Sequence, residues 1–155
     1  MKKLNRKGFT LVELLAVIVI LAIVVGITMV TILPTLENSR KKAFDTAVET
    51  ISNYIQDQKD MSLLSADLRG STYNSGVGEA DCDGKTDSSN PNHKQYCDGT
   101  TGNLLTTTGY DKNITEIKWY VENGVAKIQC ATANESGDYR QSSNYTPCPK
   151  NQQEG

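Results

Sequence analysis

"RKGFTLVELLAVIVILAIVVGITMVTILP", Arg6 to Pro34, decides how the rest of this 155-residue chain is read. From Phe9 to Leu33 there are 25 residues, and Glu13 is the only charged one. At about 1.5 Å per residue, a helix of that length spans roughly 37 Å, enough to cross a hydrocarbon core of about 30 Å. A carboxylate in such a segment is costly, on the order of 2.5–3.5 kcal/mol for a charged residue near mid-bilayer. The question is what Glu13 does to offset that cost.

The flanks orient the segment. Lys2, Lys3, Arg6 and Lys7 precede it and no acidic residue does, so the positive-inside rule places the N-terminus in the cytoplasm and the bulk of the chain outside. A secretory signal peptide has an apolar core of about 7–15 residues and then a small-residue cleavage site. Here the apolar run is longer and passes Thr31, Pro34 and Glu37 with no A-x-A pattern, which reads as an uncleaved anchor. Beyond Gly8 the chain carries 12 basic against 18 acidic residues. An acidic exterior domain neutralises few phosphates, so no direct nucleic-acid binding is expected. The densest basic run, Arg40-Lys41-Lys42, lies just past the apolar segment.

The helical pattern continues beyond Pro34. Phe44, Ala47, Val48, Ile51 and Ile55 share one face of a 3.6-residue period, with Arg40, Lys41, Asp45, Glu49, Asn53 and Asp57 on the other. This predicts one long helix from about 9 to about 60, weakened at Gly26 and Pro34. Residues 65–108 are rich in Gly, Ser, Thr, Asn and Asp and read as a long loop, with short strands expected near 102–107. "ITEIKWYV" and "VAKIQCAT" flank Asn123-Gly124, a hairpin signal over 114–131. A two-stranded hairpin needs a further layer to be stable, either the apolar face of the Phe44–Ile55 helix or further strands. The tail from Asn134 is polar and is expected to be pinned only by Cys148.

Four cysteines, Cys82, Cys97, Cys130 and Cys148, all lie in the exported part and favour two disulfides, for which three pairings exist. Sequence-local closure, Cys82 with Cys97 and Cys130 with Cys148, is the preferred one. With no C-x-x-C spacing and a single histidine, His93, a zinc site is not expected. The fold class expected from the residues is α+β, with a long N-terminal helix packed on a small antiparallel sheet.

"KGFTLVELLAVIVILAIV" resembles the class III leader and N-terminal helix of type IV pilins and pseudopilins. The features that carry the resemblance are the short basic leader, Gly8, Phe9, and Glu13 at the fifth position of the mature chain. It is specific over Lys7 to about Val25 and weaker in the helix-then-hairpin layout to Cys130. The resemblance implies cleavage after Gly8 by a prepilin peptidase and methylation of the Phe9 amine. It implies a leader at 1–8, a filament-core helix at 9–33 and an extracellular pilin domain at 34–155. It also implies that Glu13 pairs with the amine of a neighbouring subunit, so that two charges costly in low dielectric compensate each other. Partners implied are copies of itself or other pilins, the peptidase, an assembly machinery with a motor, and the membrane. The implied location is a single-pass membrane form and then a surface filament. Function is expected to be a structural filament subunit for adhesion, motility or DNA uptake. The alternatives are a pseudopilin of a secretion or competence apparatus and a signal-anchored binding module that never polymerises. Many family members have proline at mature position 22, where this chain has Val30. Pro34 follows four residues later, so Gly26–Pro34 is the candidate segment for helix extension during assembly.

Other signals are weaker. "DCDGKTD" places Asp81, Asp83 and Asp87 around a glycine, a weak calcium candidate because the glycine falls two positions early for an EF-hand. The N-x-[ST] sequons at Asn113, Asn134 and Asn144 are what chance produces in so polar a chain. No nucleophile elbow or phosphate loop occurs, and no enzyme or cofactor is expected.

Overall fold

Residues 44–58 hold the key to the folded domain, since every third or fourth side chain there is buried. The computed structural model describes residues 9–85, 89 and 93–149. They fall into two units, Met1–Asn38 and Ser39–Gly155, and one helix, α1 (Leu11–Ser62), has residues in both. In the first unit the helix is unbroken across Gly26 and Pro34. Its large apolar side chains are all roughly half exposed or more, from Val17 at 48% to Leu11 at 82%. That is the pattern of a helix whose apolar surface is meant for lipid or for other helices. By length and composition it can cross a membrane.

In the second unit α1 buries one stripe, Phe44, Ala47, Val48, Ile51 and Ile55, each at most 1% exposed. The stripe lies on an antiparallel sheet of order β1-β2-β3: β1 Cys97–Asp98, β2 Ile114–Glu122 and β3 Val125–Ala133. Ile114, Ile117 and Trp119 of β2 and Ala131 and Ala133 of β3 form the opposing layer, with Val77 and Leu104 closing the core. Burying each large aliphatic or aromatic side chain stabilises the fold by about 1.5–3 kcal/mol. The three-residue gap between Ile114 and Ile117 is not a fault in the alternation. A register shift between Ile114 and Glu116 inserts Thr115 as an extra residue and returns both isoleucines to the core face. Asn123 and Gly124, with φ of 53° and 79°, make the tight turn the hairpin requires. Gln56 of α1 grips that turn: its Nε2 donates to the Gly124 carbonyl at 2.9 Å and its Oε1 accepts the Ala126 N–H at 2.8 Å.

Two expectations change. Residues 102–107 are helical and not extended: a turn of 3-10 helix, Thr101–Asn103, leads into α3, Leu104–Thr108. Gly102 and Asn103 sit in the left-handed region and redirect the chain, so that Leu104 is fully buried and a strand register is impossible. The long segment before it also holds short helices, Ala66–Leu68 and α2, Ser75–Gly78. Buried Gln58 anchors α2 by accepting the Asn74 N–H at 2.6 Å. Arg69 meanwhile caps the end of α1 through the Ser62 and Leu64 carbonyls at 2.7 and 3.1 Å.

The tail is the second correction, because Cys148 is not its only fixture. The Asp45 carboxylate accepts from the Ser142 hydroxyl and, at 2.6 Å, from Asn144 Nδ2. Tyr145 meets Phe44 edge to face at 6.3 Å. Along β3, the Ala131 N–H reaches the Thr146 carbonyl at 3.0 Å, and Gln141 bridges Ala131, Ala133 and Tyr145. The tail thus covers a strand edge that would otherwise be open.

Asp45→Ala should lower the unfolding free energy by about 1.5–3 kcal/mol, the range for charge-assisted hydrogen bonds. Urea unfolding of the full chain in detergent, followed by the fluorescence of its single tryptophan, the buried Trp119, measures this. A change under about 0.5 kcal/mol would mean that the clasp contributes nothing. Tyr54→Phe should shift stability the other way or not at all, because its buried hydroxyl has no hydrogen-bond partner among the described residues.

Candidate functional site

The head of α1 concentrates the residues singled out by the sequence. Thr10 and Glu13 engage reciprocally: the Thr10 hydroxyl oxygen accepts the Glu13 N–H at 3.3 Å, while Glu13 Oε2 accepts the Thr10 N–H at 2.9 Å and the Thr10 O–H at 2.8 Å. This is a capping box, in which an N-cap threonine and a glutamate three residues on satisfy each other's otherwise orphaned backbone donors. The carboxylate also sits at the positive end of the helix dipole. Part of the cost of placing Glu13 before an apolar run is therefore met within the chain. The signal was present as Thr-x-x-Glu ahead of the apolar residues, but the fifth-position reading of Glu13 overshadowed it. Phe9 stands next to the box and is 83% exposed. Gly8 and the basic leader lie outside the described residues.

The cysteines pair as Cys82–Cys97 and Cys130–Cys148, with Cα atoms 5.6 and 5.0 Å apart. Cys82 and Cys97 belong to the core, and closing 15 residues stabilises by about 3 kcal/mol in the chain-entropy model. The second bond ties the tail to β3.

The acidic turn is organised around His93. The side chain is 6% exposed, with Nδ1 3.6 Å from Asp81 Oδ2 and Nε2 3.2 Å from Asp83 Oδ1. Asp87 lies outside the described residues, and among those described no three metal-ligating side chains converge. His93 titrates above the usual 6.5: the Lys85 carbonyl facing Nε2 raises it most, burial opposes, and Asp83 and Asp81 add to the rise. Only the doubly protonated ring can donate to acceptors on both sides.

A cleft of about 520 Å³ between α3 and β2 is lined by Asp98, Leu105, Asp111, Ile114 and Glu116 among others. Two of its three carboxylates are already engaged. Asp98 accepts the Thr100 N–H at 2.9 Å, and Glu116 lies 3.4 Å from the Lys118 ammonium. It contains none of the residues singled out in the sequence except the core isoleucine.

Comparison with known families finds one motif, and it coincides with the head of α1. Residues 3–29 match the family model of the prokaryotic N-terminal methylation motif, the class III prepilin leader of type IV pilins and pseudopilins. No curated protein and no solved structure matches the chain. The chain therefore carries this N-terminal methylation motif at residues 3–29, and its fold is an α+β arrangement of one long apolar helix and a small antiparallel sheet.

A raised histidine pKa stabilises the fold fully below the unfolded value, near 6.5, and that contribution disappears as pH rises through the folded value. Amide protection around Cys82–Lys85 and Lys94 should accordingly fall between mildly acidic and alkaline pH. His93→Gln should abolish this dependence. An imidazole titration by NMR at or below 6.5 would contradict the arrangement.

Proposed function

We propose that this chain is the subunit of an extracellular type IV pilus-like filament, and that the methylation motif on a bare apolar helix headed by Glu13 carries the reading. A prepilin peptidase cuts between Gly8 and Phe9 on the cytoplasmic side and the new Phe9 amine is methylated. The chain waits as a single-pass membrane protein with its bulk outside, then is lifted into the filament by an assembly machinery.

The chemistry is one of charge placement. Cleavage creates a cation at Phe9 at the start of an apolar segment, 9–33, whose one anion is Glu13, and both are costly in hydrocarbon when isolated. The capping box holds Glu13 at the helix head, so an incoming amine from another subunit meets an acceptor whose position is already fixed. Docking offsets the cost of two charges together, which makes Glu13 a register for assembly. The apolar face is covered by lipid before assembly and by like helices afterwards, so the burial changes little and the work of extraction comes from a motor. Helix extension falls between Gly26 and Pro34. There the Pro34 nitrogen has no hydrogen to donate, and the Thr28 hydroxyl competes for the Val24 and Val25 carbonyls, both at 3.0 Å.

Mass spectrometry of unreduced material sheared from cells tests this. A peptide beginning at N-methylated Phe9 in a high-molecular-weight fraction is the expected result, and Glu13→Ala should reduce that fraction about tenfold or more, as loss of a partner for a buried charge would. Intact chain from Met1 confined to membranes would overturn the proposal. Polymer retained within the cell envelope would point to the secretion or competence pseudopilin instead.

A further inference from the structure

The outer edge of β2 is only partly covered. β1 pairs with it at Trp119 and Lys118 alone, and among the described residues no other strand lies on that side. β1 stops because the chain turns away from the sheet. Asp98 accepts the Thr100 N–H at 2.9 Å, and Gly99 is wedged where an added Cβ would lie 2.6 Å from Leu105 and 3.1 Å from Ile117. The edge from Ile114 to Glu116 is thus left without a neighbouring strand for roughly 10 Å, at about 3.3 Å per residue. The cleft of about 520 Å³ runs along this open edge, with α3 as its far wall. Leu105 and Ile114 give it apolar surface, Asp98, Asp111 and Glu116 give it three carboxylates, and no basic side chain is among its lining residues. Lys118 offsets Glu116 at 3.4 Å, whereas Asp111 has no hydrogen bond or ion pair among the described residues. Asp98 titrates below the ordinary aspartate value, chiefly because the Thr100 hydroxyl donates to it at 2.5 Å, so it stays charged.

We propose that this cleft takes an extended, lysine- or arginine-bearing peptide of another protein, which adds to the outer edge of β2 as a strand in line with β1. Two independent features meet there. An open strand edge supplies backbone groups for an added strand, which gives affinity with little regard to sequence. The carboxylates supply the preference, since a basic side chain on that strand meets anions and an acidic one is repelled. Leu105 and Ile114 offer apolar surface to the aliphatic stem of such a side chain. The chain's own densest basic run, Arg40-Lys41-Lys42, is helical within α1 and cannot pair as a strand, so the occupant is a different protein. The proposal requires only the fold of the 39–155 unit and is independent of polymerisation.

Fluorescence anisotropy tests this with a labelled, end-capped peptide of alternating lysine and valine, six residues long, and the full chain in a zwitterionic detergent. Saturable binding is expected, together with slower amide hydrogen exchange within residues 114–116. Asp111→Asn, an isosteric change at an exposed side chain, should weaken binding about two- to fivefold. Methylating every second backbone nitrogen of the peptide, in one of its two frames, leaves the charge intact and should weaken binding about tenfold. The matched peptide of glutamate and valine should not bind. Undiminished binding of the peptide methylated in either frame, or equal binding of spermidine, would overturn strand addition in favour of a site for small cations. No saturable binding, or unchanged exchange within 114–116, would overturn the proposal outright.

Discussion

A hairpin of two nine-residue strands has no stability of its own in water, and everything in the 39–155 unit depends on the stripe from Phe44 to Ile55 lying across it. The stripe shields the core face of β2 and β3, and that in turn fixes where the polar joints form. Gln56 finds the hairpin turn, Gln58 finds α2, and Asp45 finds the tail. Each joint lies beside the stripe on α1, so the helix serves as the spine to which three otherwise unrelated segments are fastened. The disulfides reinforce this arrangement. One belongs to the core, and the other keeps the tail on the edge of β3.

The head of the same helix faces a different physical problem. Where residues 44–58 answer to one protein face, residues 11–36 present apolar side chains on every side, and one carboxylate must be reconciled with them. In the proposed filament the capping box would let a single residue serve two partners at different stages. A glutamate held by Thr10 is tolerable in a lone chain, and in the proposed filament its carboxylate would already be placed for the amine of an incoming subunit. Prior placement matters because positioning a flexible glutamate at the moment of docking would cost side-chain entropy.

The periodic parts of this architecture were legible in the sequence. The apolar run, the stripe and the Asn-Gly hairpin are written in local spacing, and even the bulge at Thr115 left its trace in the gap between Ile114 and Ile117. Gln58 continues the Phe44 stripe as a polar residue, and spacing alone does not reveal that a backbone amide of α2 awaits it. The short helices between Ala66 and Thr108 are below the length at which a helix sustains itself, so they exist only because tertiary contacts and left-handed residues impose them. The Asp45 clasp joins residues 97 and 99 positions apart, a distance over which no pattern operates. At the head of α1 the composition was plain, while the mutual bond between Thr10 and Glu13 was masked by a stronger reading of one of its members.

The separation of the stripe from its partners has a temporal side. Phe44 is synthesised about 70 residues before Ile114, and Asp45 nearly 100 before Ser142. At roughly 5–20 residues per second, several seconds pass in which a fully apolar helical face exists with nothing to lie on. Long-range closure of this kind is slow, and the exposed face is open to aggregation throughout. An amphipathic helix continuing directly from an apolar anchor has a shelter at hand, because it can lie in the membrane interface until the hairpin emerges. A membrane surface would then act as a folding chaperone for the 39–155 unit.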